Sequence, residues 1–155
     1  MLVFRIEREK YLDSTLSGIG ASLSEGFRWN SLSTRIVYTA ESRALAILEV
    51  SVHLDLQEDL PTDRYLTTIE IPDEVEILEL DQMDIPLNWD SKPPIIETQL
   101  IGDDFVNQQT AAVLKVPSAI VPEESNYLIN PLHPDTQKIK ITASKQLVFD
   151  SRLKK

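Results

Sequence analysis

The sequence predicts an α+β fold, a single compact domain with a mixed β-sheet core around a buried central helix. Three observations predict it. Residues 42–53 form the one long apolar run with helix chemistry, short strand-like segments crowd the later part of the chain, and the two kinds of segment do not alternate regularly. Regular alternation would have argued for a doubly wound parallel sheet. The 155 residues are one domain's worth of polypeptide, taken here as 1–155. Hydrophobic residues at 42% are enough for one core and argue against disorder.

Each element has its own local reason. Residues 2–6 are a first strand, and 8–16 can form a helix with Tyr11, Leu12 and Leu16 on one side. Residues 17–34 read as a Gly/Ser-rich loop, since three of the four glycines (Gly18, Gly20, Gly26) fall there. Residues 35–39 are β-branched and short. Ser42 is a good N-cap for a helix through about His53, apolar on nearly every face and therefore expected to be buried. All nine prolines lie at or after Pro61, so the later chain is expected as strands and turns. Strands are predicted at 65–71 and 75–80, separated by a turn at Pro72-Asp73, with a proline-interrupted loop over 81–98 and a short helix over 102–109. Further strands are predicted at 112–116, 119–121, 138–142 and 146–149, with a turn from Pro131 to Pro134.

Composition removes several functions. Cysteine is absent, so disulfides, thiolate metal sites and a cysteine nucleophile are excluded. No apolar run is long enough to cross a bilayer, and the N-terminus lacks a secretory pattern; a cytoplasmic protein that does not engage membranes is expected. Fifteen basic against 25 acidic residues give a net charge of −10, which repels nucleic acid. Residues 55–90 hold twelve acids and one base, Arg64, and so carry a net −11. That segment is either a solvated face or a docking surface for a basic partner.

Motif chemistry narrows the field further. Gly18-Ile19-Gly20 starts like a dinucleotide fingerprint, but Leu23 stands where the third glycine belongs. There is no Walker A sequence, no His-Glu-x-x-His and no Gly-x-Ser-x-Gly. Only His53 and His133 exist, so a histidine-rich metal site is excluded, and no acidic stretch has EF-hand spacing; no metal is expected.

Three places look out of keeping with their surroundings. Glu49 interrupts the apolar helix, where a lone buried carboxylate would cost several kcal/mol, so it must be paired or face a cavity. Its i+4 neighbour is His53. Gly26-Phe27-Arg28-Trp29-Asn30 places a guanidinium beside an aromatic after a glycine, which suits an anion or an ordinary anchored loop. Val116-Pro117-Ser118 and Asn126-Tyr127-Leu128-Ile129-Asn130-Pro131 set polar side chains against prolines. Ser118 has no general base beside it in sequence.

In this order the segments resemble the RES-domain family of bacterial toxin–antitoxin systems, over nearly the whole chain. The family's Arg, Glu and Ser resemble Arg28 in Gly-x-Arg-Trp-Asn, Glu49 in Ala44-Leu45-Ala46-Ile47-Leu48-Glu49, and Ser118 in Val116-Pro117-Ser118-Ala119. Tyr38 in Val37-Tyr38-Thr39-Ala40 matches a further position, and residues 126–134 match the family's Asn-x-Leu-x-Asn-Pro-x-His-Pro run. Each motif is weak alone; five in order are specific. The chain departs from the family at Phe27, where a second glycine is common, and at Leu32-Ser33, where Pro-Gly is common.

The resemblance implies an ADP-ribosyltransferase-like fold of the diphtheria-toxin type. It implies an enzyme that degrades NAD+ by cleaving the nicotinamide–ribose bond, by hydrolysis or phosphorolysis, and so arrests growth. NAD+ is then a consumed substrate, with inorganic phosphate as a co-substrate of the phosphorolytic route, and no cofactor is required. The implied partner is an Xre-type helix-turn-helix antitoxin, with a toxin homodimer inside the complex and DNA contacts left to the antitoxin. The implied catalytic residues are Arg28, Tyr38, Glu49 and Ser118, and the implied NAD+ contacts are Arg28, Trp29, Asn30, Tyr38 and Asn126. Transfer of ADP-ribose to a protein, and an inert binding module with the same fold, are the alternatives.

Overall fold

A computed structural model describes residues 1–55 and 57–154; Lys155, the last residue of the expected domain, lies outside the described residues. One seven-stranded sheet forms the body. Its strands are β1 (Leu2–Arg8), β2 (Val37–Ala40), β3 (Arg64–Glu70), β4 (Ile77–Glu79), β5 (Val113–Pro117), β6 (Ser125–Ile129) and β7 (Lys140–Gln146). The spatial order is β4-β5-β6-β2-β1-β3-β7. Every neighbouring pair is antiparallel except β4 and β5, so the sheet is mixed, as the fold class requires.

Alternation along the strands sends side chains to two cores. Tyr127 and Ile129 of β6 join Val3, Val37, Ile69 and Val113 on one face. Leu128 joins Leu114, Val116, Trp29, Ile36 and Phe105 on the other. That second face carries helices α2 (Arg43–Ser51) and α3 (Ile96–Gln108). The Ser42 side chain caps α2 by accepting from Leu45 N, and Leu45 and Ala46 pack on Phe4, Ala40 and Leu66.

Several expectations are corrected. Helix α2 ends at Ser51 and is buried on one face: Leu45 and Ala46 pack on the sheet, while Leu48 is 39% and the C-cap Val52 56% exposed. Residues 8–16 give a 3-10 helix, Glu9–Ser17, kinked at Ser14, and the 17–34 loop contains a four-residue helix, α1 (Ile19–Ser22). Helix α3 begins at Ile96, after the 93–94 prolines and the N-cap Ile95, and runs through Gly102 where a short helix was expected to begin. Residues 119–121 turn rather than extend, since the backbone N–H groups of Ile120 and Val121 bond to the Ser118 hydroxyl. Residues 125–129, read only as a motif, are strand β6, while β7 ends at Gln146, so 146–149 is not a separate strand. Among the described residues no helix is long and apolar enough to cross a membrane.

Candidate functional site

The cleft lies on the α2/α3 face of the sheet. The β1–β2 ladder is reduced to one pair, Phe4 with Ala40, and Arg5 Nη1 donates to the Tyr38 carbonyl at 3.0 Å beside it. Here a cleft of about 700 Å³ opens. That volume falls in the range of small-molecule sites. Phe4, Ile6, Tyr38, Ala40 and Asn126 are among its floor residues, and α2 contributes Ala46, Glu49 and Val50. The opposite wall comes from Gly26, Phe27, Arg28, Lys92 and Pro94.

Glu49 is held from one side. Its Oε1 accepts from Ser118 Oγ at 2.8 Å and from Asn126 Nδ2 at 2.8 Å. Strand pairing brings those two donors together, since Val116 of β5 faces Asn126 of β6 and Ser118 follows directly on β5. The Ser118 hydroxyl is fully occupied. It accepts from Ile120 N and Val121 N, both at 3.1 Å, donates to Glu49, and is 0% exposed. It therefore stands behind the carboxylate and does not line the cleft. Asn126 Oδ1 is buried and has no hydrogen-bond partner among the described residues. Glu49 Oε2 likewise has no protein donor there.

Arg28 reaches the cleft wall but is shared with the neighbouring loop. Its Nη1 donates to the carbonyls of Trp89 at 2.8 Å and Ser91 at 2.9 Å. Burial pulls the guanidinium below its ordinary value, against the attraction of Asp90 and Glu49. The planar fork leaves Nε and Nη2 for an anion.

Tyr38 offers its ring, not its hydroxyl. The hydroxyl donates to Asn30 Oδ1 at 2.6 Å and accepts from Trp29 N at 3.2 Å. Burial pushes its pKa well above the ordinary tyrosine value. The ring lies 5.1 Å from that of Phe27.

Two expected substrate contacts lie largely inside the fold. Asn30 is 0% exposed; its Nδ2 donates to the carbonyls of Ala21, Ser31 and Thr34, and its Oδ1 serves Tyr38. It secures the loop and cannot touch a ligand. Trp29 borders the cleft but is a core residue, 2% exposed and stacked on Trp89. Arg35 and Arg43, basic residues near Arg28 in sequence, do not line the cleft, and Arg43 sits over the Phe4 ring. The second half of the 126–134 run is structural: Asn130 bonds to Val106 O and Leu132 N, and His133 Nδ1 accepts from Asp135 N.

Helix α3 braces the loop that carries Arg28. Gln99 Nε2 donates to the carbonyls of Glu25 and Phe27, and Asp103 accepts from Ser31 N and Oγ. At Gly102 the helix touches the Trp29 backbone so closely that a Cβ would fall 1.5 Å from its carbonyl oxygen.

Sequence reasoning thus brings Arg28, Tyr38, Glu49 and Asn126 into one cleft, with Ser118 touching Glu49 from behind. It missed Arg5 and Lys92 as lining residues. A cation inside the apolar run Val3-Phe4-Arg5-Ile6 was a usable signal for the first; Lys92 carried none. None of the acids of residues 55–90 lines the cleft. Several of them pair instead with bases: Asp59 with Lys154, Asp63 with Arg8 and with Arg64 of the same segment, and Glu79 with Lys115. Among the described residues no group of three or more histidine or acidic side chains could hold a metal ion.

Comparison with known proteins places these features in context. Residues 2–150 match the family model described as the RES domain. A protein named Prs ADP-ribosylating toxin, from Sphingobium sp. (strain YBL2), is 44% identical over 147 residues, covering 92% of this chain and 89% of its own. Two proteins named Toxin Res are each 40% identical. The Photorhabdus laumondii one covers all of this chain and 98% of its own, and the Pseudomonas putida one 99% of both. In the crystal structure of the M. tuberculosis MbcT–MbcA toxin–antitoxin complex, one chain superposes with a TM-score of 0.69 at 17% identity. It covers 94% of this chain and 83% of that one, and it shares the α+β fold.

Proposed function

The chain belongs to the RES domain family and is, like the relatives above, a toxin; from that premise we propose that it degrades NAD+ by breaking the nicotinamide–ribose bond. One observation carries the reading. Glu49 is fixed through Oε1 by Ser118 and Asn126, with no donor to Oε2 among the described residues, in a cleft that Arg28 also lines.

The chemistry asks for little more. Nicotinamide in NAD+ is a cationic pyridinium and leaves as a neutral molecule, so its departure needs no general acid, unlike most glycoside cleavages. The ribose becomes oxocarbenium-like as the bond breaks. In this reading the anchored Glu49 carboxylate stabilises that cation and holds a ribose hydroxyl. Asn126, which lines the cleft and fixes Glu49 through Nδ2, is a weaker contact beside the ribose. Arg28 takes the pyrophosphate through its free nitrogens. The Tyr38 and Phe27 rings supply a face for nicotinamide or ribose. Ser118 orients Glu49 and is not a nucleophile, since its lone pairs and its proton are all in use. No cofactor takes part in this scheme.

The acceptor is water or inorganic phosphate. A second reading, transfer of ADP-ribose to a protein, draws on the relative named for ADP-ribosylation. The test is to incubate purified protein with NAD+, alone, with phosphate and with cell extract, and to identify products by mass. Free ADP-ribose, or its phosphorylated form when phosphate is present, supports the first reading. A protein adduct with little free product supports the second. Intact NAD+ in every arm overturns both and leaves an inert binding module. The partner in this proposal is an Xre-type helix-turn-helix antitoxin in the cytoplasm, with the toxin as a homodimer in the complex and any DNA binding supplied by the antitoxin.

A further inference from the structure

Among the described residues, three lysine or arginine side chains line the cleft: Arg5, Arg28 and Lys92. Two of them are engaged. Arg5 pairs with Glu7 at 2.9 Å and bonds the Tyr38 carbonyl. Arg28 gives Nη1 to the carbonyls of Trp89 and Ser91. Lys92 makes no hydrogen bond or ion pair among the described residues. It also follows directly after the two carbonyls that Arg28 grips.

The backbone leading to Lys92 is well fixed. The Trp89 ring stacks on Trp29 with centroids 6.3 Å apart. Backbone bonds from Trp89 N to Pro86 O and from Ser91 N to Asn88 O turn the chain, both at 3.1 Å. Pro93 and Pro94 then limit the backbone that follows, and Pro94 itself lines the cleft. Arg28 thus positions the backbone beside Lys92, while the lysine head group stays free on its flexible stem.

We propose that residues 89–94 form a clamp for a diphosphate, with Lys92 as its second cation. Arg28 holds the clamp through Nη1 and offers Nε and Nη2 to one phosphate; Lys92, on the same wall, reaches the same diphosphate. The proposal rests on the NAD+ reading for the identity of the ligand, and it adds what distinguishes a dinucleotide from a nucleoside in this cleft. The engaged Arg5, its charge offset by Glu7, is not part of the clamp.

The test uses Glu49→Gln protein, so that NAD+ is bound without being consumed, and measures binding by calorimetry. The probes are NAD+, ADP and nicotinamide riboside, which lacks the diphosphate. Adding Lys92→Ala should weaken NAD+ and ADP by about ten-fold, the loss expected for one charge-assisted contact, and leave nicotinamide riboside unchanged. Lys92→Arg should restore both. Unchanged NAD+ and ADP affinity in Lys92→Ala overturns the clamp, as does an equal loss for nicotinamide riboside. If the parent binds ADP through Lys92 but fails to bind NAD+, the NAD+ reading falls and the clamp stands. If it binds neither, both fall. Lys92 is exposed, so its loss should not unfold the chain.

Discussion

The Ser118 hydroxyl donates to Glu49 Oε1 at 2.8 Å although the two residues are 69 positions apart, and its oxygen is itself held by the N–H groups of Ile120 and Val121. A hydroxyl fastened by two backbone donors has one orientation left for its proton. That orientation points at the carboxylate, so helix α2 and the end of β5 are locked in one relative position. The carboxylate reaches the cleft already oriented, which is what stabilising a developing cation demands.

Glu49→Gln should abolish NAD+ loss, a fall of at least about 10²-fold, because the amide keeps the shape of the side chain and removes the charge. The melting temperature should change little, since Glu49 is only half-buried. NAD+ consumption followed by chromatography, beside a thermal melt, checks it. Full activity would end the proposed mechanism.

Ser118→Ala removes the donor to Glu49 and strands two backbone N–H groups in a fully buried position. Stability should fall by about 1–3 kcal/mol. Activity should fall as well, but less than in Glu49→Gln, because the charge remains. Added to Glu49→Gln, the change should lower turnover no further, since both act through one carboxylate. Additive losses would instead give Ser118 a role of its own with substrate.

Local hydrogen-bonding chemistry was legible in the sequence; long-range sharing of a group was not. Ser42 reads as an N-cap because its partner is three residues away, and it is one. Glu49 reads as out of place because a carboxylate inside an apolar helix has few explanations. Residues 119–121 have strand composition, and a turn made by one Ser118 oxygen overrides it. Arg28 reads as an anion ligand, yet two of its partners lie 61 and 63 residues away, beyond any spacing rule. Asn30 and Asn126 stand in equally suggestive motifs. Only burial separates them, and burial depends on how α1 and the loop around Thr34 close over Asn30.

Tyr38→Phe separates ring from hydroxyl. It leaves Asn30 Oδ1 and Trp29 N without their partner, so stability near pH 7 should fall by about 1–3 kcal/mol. Burial raises the Tyr38 pKa above that of the unfolded chain. The folded state therefore holds this proton more tightly, and the associated stability is complete below about pH 10 and declines as the pH rises beyond it. The gap between parent and variant should accordingly narrow from pH 7 toward about pH 11 in denaturant titrations. A constant gap would mean that the Tyr38 hydroxyl is not what titrates. NAD+ affinity should be unchanged, because the ring is retained.

Gly102→Ala tests whether α3 sets the position of Arg28. An added Cβ would lie 1.5 Å from the Trp29 carbonyl oxygen and 2.6 Å from its carbon, both backbone atoms that cannot rotate aside. Either the helix or the 26–31 loop must shift, at an expected cost of about 1–3 kcal/mol or more. The loop is tied to Gln99 and Asp103 of the same helix, so its displacement should carry Arg28 with it and weaken NAD+ binding beyond the loss of stability. Gly20→Ala is the matched control, since a Cβ there meets nothing within 4 Å. It should leave stability equal or raised by up to about 1 kcal/mol, with binding intact. If Gly102→Ala melts early yet binds NAD+ as the parent does well below its melting point, the loop is positioned by Asn30 and Tyr38 alone.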